Sequence, residues 1–264
     1  MATVIILGCG WLGSQLGAAL HQAGHQVLGS RRSAQNLSTL PAEIEPFCWD
    51  GHSVFPPNVQ QRIAGSFLVL AMPPAAHTDG GAAYLQTLQL VVAQSTAAAG
   101  LILCSSTGVY AGLSGEVSES AAPGPDPRAA LLWQAEQLVM QHPKHQILRL
   151  AGLVGPGRHP SAFTRRGVMA GPDLPVNLVH STDVCRWVLR SLQQPQPLMP
   201  VVVNLCAPMR STKAEFYSAA CLSAGMPTPE FIPATEPARN VNAELSQRDT
   251  GFSYLFSDQA SLLR

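Results

Sequence analysis

Thr3-Val4-Ile5-Ile6-Leu7-Gly8-Cys9-Gly10-Trp11-Leu12-Gly13 is the stretch whose reading decides the fold. Its β-branched run, ended by a glycine, reads as a buried parallel strand. Leu12, Leu16 and Leu20 then recur at a spacing of four, which predicts a helix from about Gly10 to Ala23, stopped by Gly24. Between strand and helix stands G-x-G-x-x-G. In that setting the first glycine permits a tight turn and the second lets the backbone approach a pyrophosphate. The third lets the helix pack closely on the sheet. Free N–H groups at the helix start, with the macrodipole, then hold the diphosphate. A dinucleotide site is therefore expected here, with Gly8, Gly10, Trp11, Leu12 and Gly13 around the diphosphate.

The next residues bear on which dinucleotide. His25–Gly29 reads as a second strand, ending in Gly29-Ser30-Arg31-Arg32. At this position an acid reads the 2′-hydroxyl of NAD, whereas an arginine accommodates the 2′-phosphate of NADP. No acid stands here and two arginines do, so NADP(H) is expected over NAD(H), with Ser30 as an added hydroxyl. A third strand ends at Phe47-Cys48-Trp49-Asp50. Asp50 reads either as a partner for the adenine amino group or as an ordinary loop aspartate. A fourth strand, Ser66–Met72, brings Ala71, Met72 and Pro73 into the expected cofactor contacts.

Helices over Tyr84–Ala99 and Arg128–Gln141 alternate with strands over Leu101–Ser105 and Gln146–Leu150. Such alternation with short connections argues for a doubly wound parallel sheet, an α/β Rossmann fold. After Val154 the pattern breaks at Gly155-Pro156-Gly157, Pro160, Gly171-Pro172 and Pro175. A helix over Ser181–Leu192, a strand over Val201–Leu205 and a helix over Ser211–Ala224 follow, then a proline-rich tail. The expected organisation is a dinucleotide domain over 1–154, completed by 179–206. Residues 155–178 and 207–264 then make a small irregular C-terminal lobe.

Composition narrows the function classes. Lys+Arg and Asp+Glu are 16 each, so there is no basic surplus to neutralise nucleic-acid phosphates. No apolar stretch reaches the length of a membrane span, and the N-terminus reads as a strand rather than a signal peptide. The six cysteines form no CxxC pair, so neither a metal site nor a disulfide framework is indicated. Buried thiols in a reducing cytoplasm are the expectation.

Four further segments carry a family resemblance. They are Ser105-Ser106-Thr107-Gly108-Val109-Tyr110, Leu148–Arg158 with its Gly155-Pro156-Gly157-Arg158 end, Asn177–Val184 with His180 and Asp183, and Val203-Asn204-Leu205. In this order, after the glycine motif, they resemble the extended or atypical short-chain dehydrogenases/reductases, the NAD-dependent epimerase/dehydratase-like branch. The resemblance implies that Ser106 is an assisting hydroxyl and that the region around Arg158, His159, Arg165 and Arg166 lines a substrate pocket. Asp183 also reads as a helix cap and His180 as a satisfied interior residue.

The branch's Tyr-x-x-x-Lys pair is absent. If Glu136 is the family glutamate, Arg128 stands at the tyrosine position and Leu132 at the lysine position. Arginine does not give up its proton, and leucine has none to offer. The candidate catalytic set is therefore Ser106, Tyr110 and Arg128, with Arg158 toward substrate. The expected activity is an NADP-dependent oxidoreductase or epimerase of atypical mechanism, acting on a small carbonyl, hydroxyl or sugar-derived molecule. The alternative is a non-catalytic NADP(H)-sensing regulator. Oligomeric state stays open, a helix-mediated homodimer being common in the superfamily.

Overall fold

Val4, Ile5, Ile6 and Leu7 have no exposed surface, as expected of a strand covered on both faces. A computed structural model describes residues 1–74, 80–193, 201–248 and 250–264. In chain order it contains β1 (Thr3–Leu7), α1 (Trp11–Gln22), β2 (Gln26–Arg31), β3 (Glu45–Cys48), α2 (Pro57–Gln60), β4 (Phe67–Leu70), α3 (Ala82–Gln94) and β5 (Gly100–Ser106). Then come β6 (Gly115–Val117), α4 (Pro127–Val139), β7 (His145–Leu150), β8 (Gly152–Val154), β9 (Val168–Ala170), β10 (Leu178–His180) and α5 (Ser181–Gln193). The chain continues through β11 (Val201–Leu205), α6 (Lys213–Ser223), β12 (Glu230–Ile232), β13 (Arg239–Val241), α7 (Glu244–Arg248) and α8 (Gln259–Leu262).

Seven strands form a parallel sheet in the order β11-β7-β5-β4-β1-β2-β3. The order runs one way from β1 to β3 and the other way from β4 outward. In such sheets ligands bind beyond the carboxyl ends at this reversal. Leu7 pairs with Leu70, so Gly8 and Ala71 leave the sheet side by side at the reversal. This is the doubly wound sheet expected from the sequence.

The chain divides into two compact units. The first comprises Met1–Ser105, Ala130–Leu148 and Cys185–Val202. Its core packs Ile5, Leu7, Leu68, Leu70, Leu101 and Leu103 against Leu88, Val91, Ala135 and Val139. Leu16 and Leu20 of α1 are fully buried, which is the work of the four-residue spacing.

The second unit comprises Ser106–Ala129, Arg149–Val184 and Val203–Arg264. Beyond the segments expected for a lobe it therefore takes 106–129, 149–154, 179–184 and 203–206, the last two of which the sequence reading had given to the dinucleotide domain. It is also more regular than its proline content suggests. Three two-stranded parallel ribbons, β8–β10, β9–β12 and β6–β13, run through it. Phe216, Tyr217, Leu178 and Leu262 share its core. Thr212 and Glu215 form a reciprocal capping box on α6, a Thr-x-x-Glu pattern that fixes where the helix begins. Among the described residues no helix is long and apolar enough to cross a membrane. No group of three His, Cys, Asp or Glu among the described residues is placed to hold a metal.

Candidate functional site

The three glycines after β1 differ in what surrounds them. A Cβ on Gly13 would run into the carbonyl oxygen of Gly8, and Gly8 itself sits at φ +91° against Met72 and Ala71. Both are glycine because the protein occupies the space. A Cβ on Gly10 would meet nothing within 4 Å. That vacancy is a cradle rather than a packing contact. Gly10 is also the N-cap of α1, where no side chain caps the helix and the first turn holds no acid. An uncapped helix N-terminus without a competing carboxylate suits an anion.

Gly10 opens into a cleft of about 390 Å³ within the first unit. Gly8, Cys9, Gly10, Ser30, Arg31, Arg32, Asp50, Ala71, Met72 and Pro73 line it. Most of the expected cofactor residues are thus brought together. Leu12 is buried in the core and Trp11 half-buried on the first turn of α1; neither lines the cleft, and nor does Gly13. Trp49, Gly51, His52, Ala83, Tyr84 and Thr87 also line it, and the sequence reading did not assign them. The signal for Tyr84 and Thr87 was their spacing of three on one helix. Burial pushes the Tyr84 hydroxyl well above the ordinary tyrosine range, so it stays protonated.

The end of β2 shapes the cleft further. Ser30 is buried, and its Oγ accepts from the Gly8 N–H at 2.9 Å, while its carbonyl accepts from the Cys9 N–H at 3.1 Å. Ser30 therefore pins the glycine turn. The Nε of Arg31 is buried without a hydrogen-bond partner, whereas Arg32 is exposed. Asp50 Oδ1 accepts from the backbone N–H of His52 at 2.8 Å and of Ser53 at 3.0 Å, and from the Ser53 hydroxyl at 2.9 Å. These bonds hold its carboxyl below the usual range. Asp50 closes a tight turn at the cleft edge.

The catalytic candidates lie in the second unit. Ser106 is half-buried at the end of β5, and its Oγ accepts from the Gly108 N–H at 3.0 Å, leaving its own O–H to donate. Tyr110 is fully buried. Its hydroxyl donates to Asn204 Oδ1 at 2.8 Å and accepts from Arg149 Nη1 at 2.8 Å. Burial pushes its pKa up, against the opposing pull of the Arg149 guanidinium. Arg128 is exposed on the first turn of α4, with its backbone N–H on Asp126 Oδ1 at 2.7 Å. Arg158 is exposed, its guanidinium 5.7 Å from the ring centre of Phe163.

Comparison with known proteins gives a full-length match. Protein YeeZ of Escherichia coli K12 is 30% identical, over 98% of this chain and 97% of its own. The chain belongs to the YeeZ family. The corresponding protein of Escherichia coli O157:H7 matches to the same extent. No protein-family model matches the sequence. Among solved structures, a functionally unknown conserved protein from Silicibacter pomeroyi superposes with TM-score 0.81 at 20% identity, covering 100% of this chain and 97% of that one. UDP-glucuronic acid 4-epimerase from Bacillus cereus, in complex with UDP-glucuronic acid and NAD, superposes with TM-score 0.81 at 16% identity, covering 98% and 96%. UDP-glucose 4-epimerase from Thermotoga maritima with UDP-glucose gives TM-score 0.80 at 16% identity, covering 99% and 96%. This YeeZ-family chain therefore has the fold of the short-chain dehydrogenase/reductase epimerases.

Several buried polar residues of this YeeZ-family chain escaped the sequence reading. Arg149 is 1% exposed and donates also to the Glu119 carbonyl at 3.2 Å. Glu119 Oε1 accepts from the Asn204 N–H at 2.7 Å. Within the first unit, Ser105 donates to Glu136 Oε1 at 2.6 Å, and Leu132 is buried. Asp183, expected as a helix cap, reaches much further along the chain: its carboxylate accepts from the Leu255 and Phe256 N–H groups at 2.9 and 3.0 Å. His180 stacks on Phe256 with ring centres 3.5 Å apart and accepts from the Thr182 N–H at 3.2 Å. Of the six cysteines only Cys48 is exposed.

Proposed function

We propose that this chain binds NADP(H) and acts as an oxidoreductase or epimerase-like enzyme of atypical mechanism, on a small carbonyl, hydroxyl or sugar-derived substrate. The observation that carries the reading is the buried, unpartnered Arg31 Nε in the same cleft as the open face of Gly10. A buried donor left unpaired is unfavourable by about 1–3 kcal/mol. The Arg31 guanidinium lines the cleft, so a 2′-phosphate there can take a charge-assisted bond from its accessible end, and a second phosphate contact is available from Arg32. The 2′-hydroxyl of NAD supplies no such charge. Solved proteins of the same fold hold NAD, which supports a nicotinamide dinucleotide, and the arginines favour its phosphorylated form.

When bound, the nicotinamide supplies or accepts a hydride. The chain's own residues hold the diphosphate against Gly10 and the uncapped start of α1. Ser106 keeps an O–H to donate toward a substrate oxygen. Arg128, a fixed cation, stabilises negative charge or binds an anionic substrate, and Arg158 adds a further positive group. Tyr110 is left out of proton transfer, because its hydroxyl is committed on both sides. Free cysteines suit a reducing compartment, and we place the protein in the cytoplasm.

A second reading, a non-catalytic NADP(H)-sensing regulator, is favoured by the buried Leu132 where the resemblance puts a lysine, and by the engaged Tyr110 hydroxyl. Titration calorimetry tests the shared part. NADPH is expected to bind at least tenfold more tightly than NADH. Equal affinities would remove the NADP assignment, and no binding of either would remove the whole reading. Loss of nicotinamide absorbance over a panel of carbonyl substrates then separates enzyme from sensor.

A further inference from the structure

The ends of β2 and β3 place a histidine beside the two arginines of the dinucleotide cleft. Arg31 pairs with Cys48 across these strands, and the Trp49 N–H donates to the Arg31 carbonyl at 2.9 Å. Arg32 and the segment from Trp49 to His52 therefore leave the sheet side by side, and all of them line the cleft.

The turn that carries His52 is held on several sides. The Asp50 carboxylate accepts from the His52 N–H, the Ser53 N–H and the Ser53 hydroxyl. The Trp49 indole donates to the Ser53 carbonyl at 2.9 Å. Gly51, at φ +89°, lies so close to α3 that a Cβ there would stand 3.3 Å from Thr87 Oγ1. His52 itself is exposed, so a fixed backbone offers an imidazole that is open to a ligand.

Few charges surround it. Among the described residues lining the cleft, Arg31 and Arg32 are permanent cations and Asp50 is the one carboxylate. The hydrogen bonds of its own turn hold the Asp50 carboxyl below the usual range, so it is ionised throughout the neutral region. Burial pushes the Cys9 thiol up to about 12 and the Tyr84 hydroxyl above the ordinary tyrosine range, so both stay uncharged there. His52 is then the lining group whose side-chain type changes charge between about pH 5 and 8.

We propose that His52 is a specificity-determining residue for the dinucleotide: as imidazolium it supplies a third cation to the 2′-phosphate and makes the preference for NADP(H) over NAD(H) depend on pH. The proposal rests on the NADP(H) reading and adds regulation to it. A phosphate dianion favours the protonated form of an adjoining imidazole. The extra affinity is therefore present in full at low pH and lost as pH rises through the imidazole's value in the complex. The 2′-phosphate keeps its second charge above about pH 6, which sets the lower edge of the useful window.

Titration calorimetry of the full chain with NADP⁺ and NAD⁺, at about pH 8.5 and about pH 6.5, reads the effect on either side of the histidine range. The two nucleotides differ only in the phosphate, so the ratio of their affinities isolates it. That ratio is expected to rise about threefold to tenfold at the lower pH, the value of a charged contact at an exposed side chain. In His52→Gln the ratio should stay at the parent's high-pH value throughout. In His52→Lys, a permanent cation, it should stay at the low-pH value throughout, and this variant carries the test alone should the first fail to fold. A preference for NADP⁺ that is the same at both pH values overturns this proposal and leaves the NADP(H) reading standing. A pH dependence that survives in either folded variant overturns it as well. Equal affinities of the parent for NADP⁺ and NAD⁺ at both pH values strike the NADP(H) reading itself, and this one with it.

Discussion

The cleft at Gly10 and the knot around Tyr110 are both rich in polar groups, and they treat them in opposite ways. At the cleft, Arg31 Nε is buried with nothing to bond, α1 begins without a cap, and the space beside Gly10 is vacant. At the knot, the Tyr110 hydroxyl is bonded on both sides, Arg149 donates to it and to Glu119, and Asn204 is tied to Glu119 and Asn242. Arg239, which donates to the Tyr110 carbonyl, keeps a buried Nε unpaired even beside the knot, so an orphan donor alone does not mark a ligand site. What sets the cleft apart is that its orphan lies with an uncapped helix start and open space, whereas the Tyr110 hydroxyl is closed into a network that serves the fold. On the reading proposed above Arg31 is a ligand group, and Arg149 is a structural one.

Changes that should break this contrast begin with Arg149→Met. Two charge-assisted bonds, worth about 1.5–3 kcal/mol each, are removed from a fully buried site. The expected loss is about 3–5 kcal/mol, or about 6–20 °C in Tm at roughly 2–4 °C per kcal/mol for a chain of this size. Thermal denaturation followed by circular dichroism reads it. A shift below about 2 °C, on the same scale, would mean the knot does not hold the second unit.

Gly10→Val tests the other side. The new side chain enters empty space, and the Gly10 φ of −77° suits any residue, so Tm should hardly move. NADPH affinity should fall by about a hundredfold or more, close to 2.8 kcal/mol. Undiminished affinity in the folded variant would empty the cleft of its meaning. The pair Arg31→Ala, Arg32→Ala is the finer test. It should weaken NADPH by about tenfold to hundredfold while NADH affinity stays near the parent value. Equal loss for both would show that these arginines do not read a 2′-phosphate. Tyr110→Phe removes two hydrogen bonds at once, the one donated to Asn204 and the charge-assisted one from Arg149, so about 2–4 kcal/mol is lost from stability, while any turnover found for the parent should persist. Abolished turnover with unchanged Tm would return Tyr110 to the catalytic candidates.

What could be read from the sequence follows from distance along the chain. The glycine turn and α1 were legible because Gly8, Gly10 and Gly13 act within six residues and the leucine spacing is helical. The arginines at the end of β2 were legible because the strand order places that end beside the turn. Tyr110 was not. It matched a motif by spacing, yet its hydroxyl is held by Arg149 and Asn204, 39 and 94 residues away. The distant partners of Asp183 were hidden for the same reason, since Leu255 lies 72 residues on. The short ribbons β6–β13 and β9–β12 left no periodic signal, because three residues are too few to show one. Trp49 joined the cleft through packing that no motif encodes.

The β6–β13 ribbon has a kinetic consequence. Arg239, at its start, donates to the Tyr110 carbonyl across 129 residues of chain. Closing so long a loop must precede any reward from the contacts it brings, which makes such pairings slow. β1 and β2 close over a short connection, although β1 reaches β4 from Leu7 to Leu70. All the residues that line the Gly10 cleft lie before Arg239, the last at Thr87, so they leave the ribosome well before the second unit is complete. On the reading proposed above, a dinucleotide bound that early would act as a folding template for the nascent chain.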